Sequence, residues 1–260
     1  MYVMAKPRKR HLQLALVYRD RNGQRRGVGP RKIRKRLGRP PKGPRAGEKH
    51  EPREVFRLGT PVHVVLRVVP AIGRLRKHKT YAALREALLV AARRDNFRVV
   101  HVSIQAKHVH LLVEASDRIT LARGMQSFQI SAAKRLNAAV TPAGEKRRRG
   151  RVFTDRYHAQ LIKSPRQARH CLAYVMNNWR HHLEDRDGAA QDWKIDRYSS
   201  AISFNGWRDA PARWETPKDY DPLPVWPARC WLLREGWKRH GLISTTEVPG
   251  PHAMPDFAEC

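Results

Sequence analysis

The residues whose type and spacing could do chemistry begin with His108 and His110, in Lys107-His108-Val109-His110-Leu111-Leu112-Val113-Glu114. The octet is short, apolar and β-branched, and reads as a strand. Side chains alternate faces along a strand, so both imidazoles point one way while Val109, Leu111 and Val113 point the other. Two rings side by side above an apolar layer could hold a divalent metal; a strand with a wet face that carries two histidines fits the same letters. A second group lies further on. Ser164-Pro165-Arg166-Gln167 puts Ser at the N-cap, Pro at N1 and Gln at N3, and predicts a helix from there to about Leu183. Leu172, Val175, Met176, Trp179 and Leu183 form its buried stripe, and His170, Tyr174, Asn178 and His181 form a polar one. A phenol is a nucleophile, and an amide oxygen one turn later is a hard metal ligand, although a surface tyrosine would give the same pattern. Tyr157, in Asp155-Arg156-Tyr157-His158, is a competing nucleophile on a turn, whereas Tyr81 and Tyr198 read as structural. His101 is a further ligand or base, or a hydrogen-bonded sheet histidine. Cys171 sits one residue round from the polar stripe and reads as packed and inert.

The elements that must position these groups begin near Thr60. Val62, Val64, Leu66 and Val68 alternate with His63 and Arg67, a half-buried strand that Pro70 and Gly73 end. Lys77 to Phe97 predicts a helix with Thr80 as N-cap and Leu84, Leu88, Ala91 and Ala92 on one face. Arg98 to Ala106 is a second strand, with Val100, Val102 and Ile104 opposed to His101, Ser103 and Gln105. The histidine strand follows too closely for a helical crossover, so the two pair as an antiparallel hairpin. From Thr120 to Val140, Leu121, Met125, Phe128, Ala132, Leu136 and Ala139 make a stripe wide enough to cover a sheet, with Arg118, Arg123, Lys134 and Arg135 opposite. A loop over Thr141–Gly150 carries Lys146-Arg147-Arg148-Arg149, either solvated or in contact with phosphate. A last strand runs from His158 to Ile162.

The whole chain, 260 residues with a formal net charge of +30, has room for one domain plus appendages and points to a polyphosphate partner. No run approaches the roughly 18 apolar residues of a spanning helix, and Leu12–Tyr18 is too brief for a secretory signal. Three scattered cysteines, Cys171, Cys230 and Cys260, have no metal-ligand spacing and fit a reducing cytoplasm. Residues 1–58 read as a disordered basic arm, since Met1 to Arg57 holds nineteen Lys/Arg against four acids and too few apolar residues for a core. Within it, Gly38-Arg39-Pro40-Pro41-Lys42 has the form of an AT-hook core, while a nonspecific phosphate-binding tail needs less of it. Residues 59–183 form the main domain and 184–260 an extension rich in Trp and Pro. Trp193, Trp207, Trp214, Trp226, Trp231 and Trp237 either stack single-stranded bases or glue this extension to the core. A helix over Ala228–His240 ends at Gly241, and residues after Pro249 are frayed.

A strand-borne His-hydrophobic-His followed by one helical tyrosine with Asn four residues on resembles the HUH tyrosine transposases. These are the single-tyrosine enzymes of small insertion sequences, and the nearest branch is the one associated with repetitive extragenic palindromes (REP). The resemblance runs from Val62 to His182, with a looser echo in Tyr198-Ser199-Ser200-Ala201 and Trp231 to Ile243. Lys107 stands where that family often has Asn, and Tyr174-Val175-Met176-Asn177-Asn178-Trp179 lacks the Pro that commonly follows the Asn. The resemblance implies an α+β fold: a ferredoxin-like antiparallel sheet with two helices on one face, and a C-terminal tyrosine-bearing helix over the other. The element order read from periodicity agrees. It further implies His108, His110 and Asn178 as ligands to Mg²⁺ or Mn²⁺, and Tyr174 as the nucleophile in cleavage and rejoining of single-stranded DNA at palindromic or hairpin ends through a 5′-phosphotyrosine. Arg39, Lys42, Arg123, Arg147, Arg148, Arg149, Arg151 and Arg156 are the expected DNA contacts. The expected partner is single-stranded or hairpin DNA, in the cytoplasm and at the nucleoid, with monomer and homodimer both open. The rival reading is a catalytically inactive, domesticated nucleic-acid-binding protein that kept the fold and the charge.

Overall fold

The computed structural model describes residues 17–19, 22, 24–27, 54–56, 58–92, 96–184, 195–209 and 220–248. The chain divides into two units, Met1–Ala46 and Gly47–Cys260. In the first, strands β1 (Val17–Arg19) and β2 (Arg25–Gly27) pair as a short antiparallel hairpin. Arg39 and Lys42 lie outside the described residues, as do Trp193, Trp214 and the segment after Val248.

The second unit is built on β3 (Val62–Arg67), α1 (His78–Ala91), β4 (Phe97–Ile104), β5 (His108–Ala115), α2 (Arg118–Ala139) and β6 (His158–Leu161). The sheet order is β4-β5-β3-β6 with every pairing antiparallel, the ferredoxin-like arrangement the element order implied. Strand alternation sends Val62, Val64, Leu66, Val109, Leu111 and Val113 to the face covered by α1 and α2, where they join Leu84, Leu88, Met125, Phe128 and Leu136 in one core. The expected stripes of both helices face it.

Several boundaries differ from the sequence reading, each for a local reason. Helix α1 starts at His78 and ends at Ala91, so Phe97 opens β4 instead of closing the helix. Thr80 lies inside the first turn, where its hydroxyl donates to the carbonyls of Leu75 (2.6 Å) and Lys77 (3.0 Å), and does not cap. Helix α2 begins two residues early because the Asp117 carboxylate caps it, accepting from the amides of Ile119 (2.7 Å) and Thr120 (2.9 Å). In β4 the register shifts between Val99 and His101. Val100 is the extra residue of that bulge and packs on the opposite face from Val102 and Ile104.

Helix α3 (Pro165–His181) lies over the other sheet face, capped at Ser164 as its sequence predicts. The Gln167 side chain accepts from the amide of Lys163 (2.8 Å), one residue before the expected capping-box donor. The supposed solvent side of α3 is also covered. Tyr174 and Asn178 are buried against the sheet, while Leu172, Val175, Met176 and Trp179 are buried with the Gly236–His240 turn and the 243–247 segment packed on the helix. Asn177 donates to the carbonyl of Ser244 (2.9 Å) and Arg180 to that of Thr245 (2.8 Å). Leu183, expected in the buried stripe, is 52 % exposed, past the helix end and at a positive φ of 56°.

The C-terminal segment also closes the β4 edge. The amide of Ile104 donates to the carbonyl of Tyr198 (2.8 Å), that of Val102 to the hydroxyl of Ser200 (3.0 Å), and that of Trp226 to the carbonyl of Val99 (2.9 Å). Trp207 and Trp237 are buried, the gluing role, whereas Trp226 and Trp231 stay exposed. The helix expected over Ala228–His240 is broken into one α-turn, Trp231–Arg234, and a 3₁₀ segment, Gly236–His240. Gly241 stops it at a φ of 85°.

Candidate active site

The face of the sheet beneath α3 carries the chemistry. In the β3–β5 register, His110 lies opposite Val65, His108 opposite Arg67 and Leu112 opposite His63, so His63, His108 and His110 share one face. The rings of His108 and His110 meet edge to face with centroids 4.7 Å apart. His63 stacks on His110 at 5.2 Å and 13°, with its Nε2 3.1 Å from Nδ1 of His110. Helix α3 lowers Tyr174 onto this cluster, its ring edge-on to His110 at 5.3 Å and to His63 at 6.0 Å. Asn178 is one turn further and fully buried. One more turn brings His182, just past the helix end, against His108 at 5.2 Å.

Nε2 of His110 is buried with no hydrogen-bond partner, and the buried Asn178 amide has only the Tyr174 phenol beside it, which leaves its oxygen lone pairs to spare. Buried polar atoms normally find partners, so each orphan calls for a physical reason. An imidazole nitrogen and an amide oxygen with lone pairs to spare suit a divalent cation, and His108 beside them supplies a second imidazole. Among the described residues no three His, Cys, Asp or Glu side chains converge on one point. A donor set of two histidines and an amide has a different composition.

Burial sets the electrostatics. It pushes His63 down to about 3, aided by His158 and His108, and pushes His108 down to about 3, aided by His182 and Arg67. His110 is held well below the usual imidazole range, again first by burial and then by its neighbouring histidines. All three rings are therefore neutral at pH 7, the state a metal ligand requires. Burial raises the Tyr174 phenol to about 12, with Cys171 adding to the rise and Asn178 opposing it.

The other candidates fall elsewhere. Tyr157 is buried in the core on the opposite sheet face, with the α1 and α2 side chains. Tyr81 donates to the carbonyl of Asp221 (2.7 Å), and Tyr198 lies under the Arg76 guanidinium at 4.5 Å, both structural as expected. His101 sits 3.2 Å from the Ser200 hydroxyl and against Phe204. Cys171 is fully buried, and burial pushes its thiol far up. His181 is exposed, while His170 is partly buried.

His63 and His182 belong to the cluster but were not singled out by sequence. For His63 the signal was available, because a ferredoxin-like order makes β3 and β5 neighbours and the alternation of Val62–Leu66 puts His63 on their shared polar face.

The cationic loop lies apart from this cluster in the chain. Lys134, Asn137 and residues 146–150 line a hollow of about 540 Å³ at the C-terminal end of α2. Arg147 donates to the carbonyl of Lys134, and Arg148 to the Asn137 side chain and the carbonyl of Arg151. Arg149 lines the same hollow, Arg151 and Arg123 are exposed, and Arg156 is half-buried.

No helix among the described residues is long and apolar enough to cross a membrane. The family model described as transposase IS200 like matches residues 59–178. The chain is similar at 15 % identity to a solved REP-associated tyrosine transposase bound to a REP hairpin, with a TM-score of 0.45 over 60 % of this chain and 84 % of that one. It is also similar at 15 % identity to the crystal structure of a putative transposase from Deinococcus radiodurans, with a TM-score of 0.33 over 53 % of this chain and 97 % of that one. No curated protein matches.

Proposed function

Residues 59–178 belong to the IS200-like transposases, and on that premise we propose that this chain cleaves and rejoins single-stranded DNA with Tyr174 as its nucleophile. The observation that supports the reading most is the placement of the Tyr174 ring, on a helix, edge-on to two strand histidines at 5.3 and 6.0 Å. The phenolate oxygen attacks a phosphodiester in line, forming a 5′-phosphotyrosine and releasing a free 3′-hydroxyl. Attack by another 3′-hydroxyl on that linkage reverses the step and joins strands without an outside energy source.

His108, His110 and Asn178 would hold a Mg²⁺ or Mn²⁺ ion, whose contribution when bound is to neutralise charge on the scissile phosphate. The residues themselves orient the reaction: neutral buried imidazoles keep their lone pairs, and α3 fixes the phenol relative to them. A hairpin end is the substrate class proposed here. The hollow lined by Lys146, Arg147, Arg148 and Arg149, with Arg151 beside it, is a phosphate-binding surface for its duplex stem.

The test is a denaturing gel. The full chain with labelled hairpin oligonucleotides and Mn²⁺ gives a covalent protein–DNA adduct, and Tyr174→Phe gives none while still binding DNA. An adduct that persists in Tyr174→Phe removes Tyr174 from its role. Salt-sensitive binding with no cleavage across the panel favours the inactive, domesticated reading.

A further inference from the structure

We infer that His63 is a positioning residue that holds the His110 ring in the tautomer able to bind a cation, an inference that rests on the metal reading of His110 above. His63 stands on β3, the strand next to β5, and its side chain is fully buried. Its Nε2 lies 3.1 Å from Nδ1 of His110, with the two rings 13° from parallel. A neutral imidazole carries one N–H and one lone pair, so two neutral rings meeting nitrogen to nitrogen share a single proton. One ring donates and the other accepts.

The two directions differ at Nε2 of His110, a buried nitrogen with no hydrogen-bond partner in the protein. If His63 donates, His110 carries its own proton on that nitrogen and has no lone pair there to offer a cation. If His110 donates from Nδ1, the same Nε2 presents a lone pair instead, ready for a cation. This second direction places the remaining proton of His63 on its Nδ1, so donor direction runs from His110 to His63, away from the cation site. Such outer partners fix the tautomer, orientation and basicity of a ligand histidine.

His63 also packs against the Tyr174 ring, so one side chain steadies both the ligand and the nucleophile. A residue kept only to fill space there would serve as well with an apolar chain. A positioning residue needs the acceptor.

The experiment has two arms on the full chain. In the first, metal-free protein labelled with ¹⁵N at histidine is read by two-bond ¹H–¹⁵N correlation, with His110 assigned from His110→Gln. The Nδ1–H tautomer at His110 is expected, and the Nε2–H tautomer overturns the inference. In the second, Mn²⁺ affinity is followed by electron paramagnetic resonance. His63→Leu, which keeps bulk but no acceptor, weakens binding about 10- to 100-fold, while His63→Gln, which restores an acceptor, stays within about threefold of the native chain. No loss in His63→Leu, or equal loss in both variants, overturns the inference. Binding lost in His110→Gln but intact in His63→Leu sinks this inference alone. Binding unchanged in His110→Gln sinks the metal reading and this inference with it.

Discussion

As the proposed nucleophile, Tyr174 must first lose its proton. With the phenol raised to about 12 by burial, roughly one ring in 10⁵ is ionised at pH 7, and that fraction grows tenfold per pH unit. Single-turnover adduct formation is therefore expected to climb from pH 6 to 9 with a log-rate slope near one. A flat profile measured with saturating DNA would mean that some other group, or release of DNA, limits the rate. His101 tests burial with the opposite sign. Burial lowers it to about 4, so the unfolded chain takes up its proton near 6.5 while the folded chain refuses it until about 4. The contribution is intact above pH 6.5 and is lost as pH falls towards 4. At pH 5 the loss is about 2 kcal/mol, and urea unfolding of His101→Gln should show a correspondingly shallower fall between pH 7 and 5. The sequence showed His108, His110, Tyr174 and Asn178 because strand and helix periodicity alone put each pair on a shared face. His63 was legible only once the ferredoxin-like order made β3 the neighbour of β5, and His182 was hidden because its membership depends on the chain just past a helix end.

At the scale of elements, α2 shows how one missing side chain lets a helix approach the sheet. A Cβ on Gly124 would stand 2.2 Å from Cγ of Phe97, a ring that is 1 % exposed in the core. Gly124→Ala therefore sets about 1 kcal/mol of helix propensity gained against overpacking that costs about 1–3 kcal/mol. A net loss of stability is expected by chemical denaturation. A gain would mean that Phe97 moves aside freely. The Asp117 cap gives a second, independent reading: Asp117→Ala removes the acceptor for two orphan amides and should lower the denaturation midpoint. The stripe of α2 was legible because Leu121, Met125, Phe128, Ala132 and Leu136 repeat at helical steps. The bulge at Val100 was not, since strand alternation has no letter for an inserted residue. Nor was the double burial of α3, because its outer cover is supplied by residues 236–247, more than sixty positions downstream of Tyr174.

At the scale of the whole molecule, the C-terminal segment is tied to the domain by charge as well as by tryptophan. Arg76, 5 % exposed, makes a bidentate pair with the fully buried Asp196 at 2.9 and 3.0 Å, and also donates to the carbonyl of Ile104 (3.0 Å). Asp196→Ala leaves Arg76 with the Glu184 carboxylate at 3.6 Å and the Ile104 carbonyl, so its cost in denaturant unfolding should stay below the roughly 3–5 kcal/mol of a fully stranded charge. Asp196→Ala with Glu184→Gln should cost more than Asp196→Ala alone. The remaining cations outnumber any internal need. With +30 overall, the molecule's affinity for DNA must fall steeply with salt, but bulk attraction and a built contact surface predict different slopes. If the hollow at residues 146–150 grips a duplex stem, each phosphate contact removed lowers the slope of log affinity against log salt by about 0.9. Replacing Arg147, Arg148 and Arg149 together by Ala should then flatten the slope by about 2.7 on a hairpin. It should do so by less on an unpaired strand, where each contact is worth about 0.7. Equal, small changes on both substrates would assign those arginines to diffuse attraction. A large change confined to the hairpin, measured by fluorescence anisotropy between 50 and 200 mM salt, would locate the stem on that face of α2.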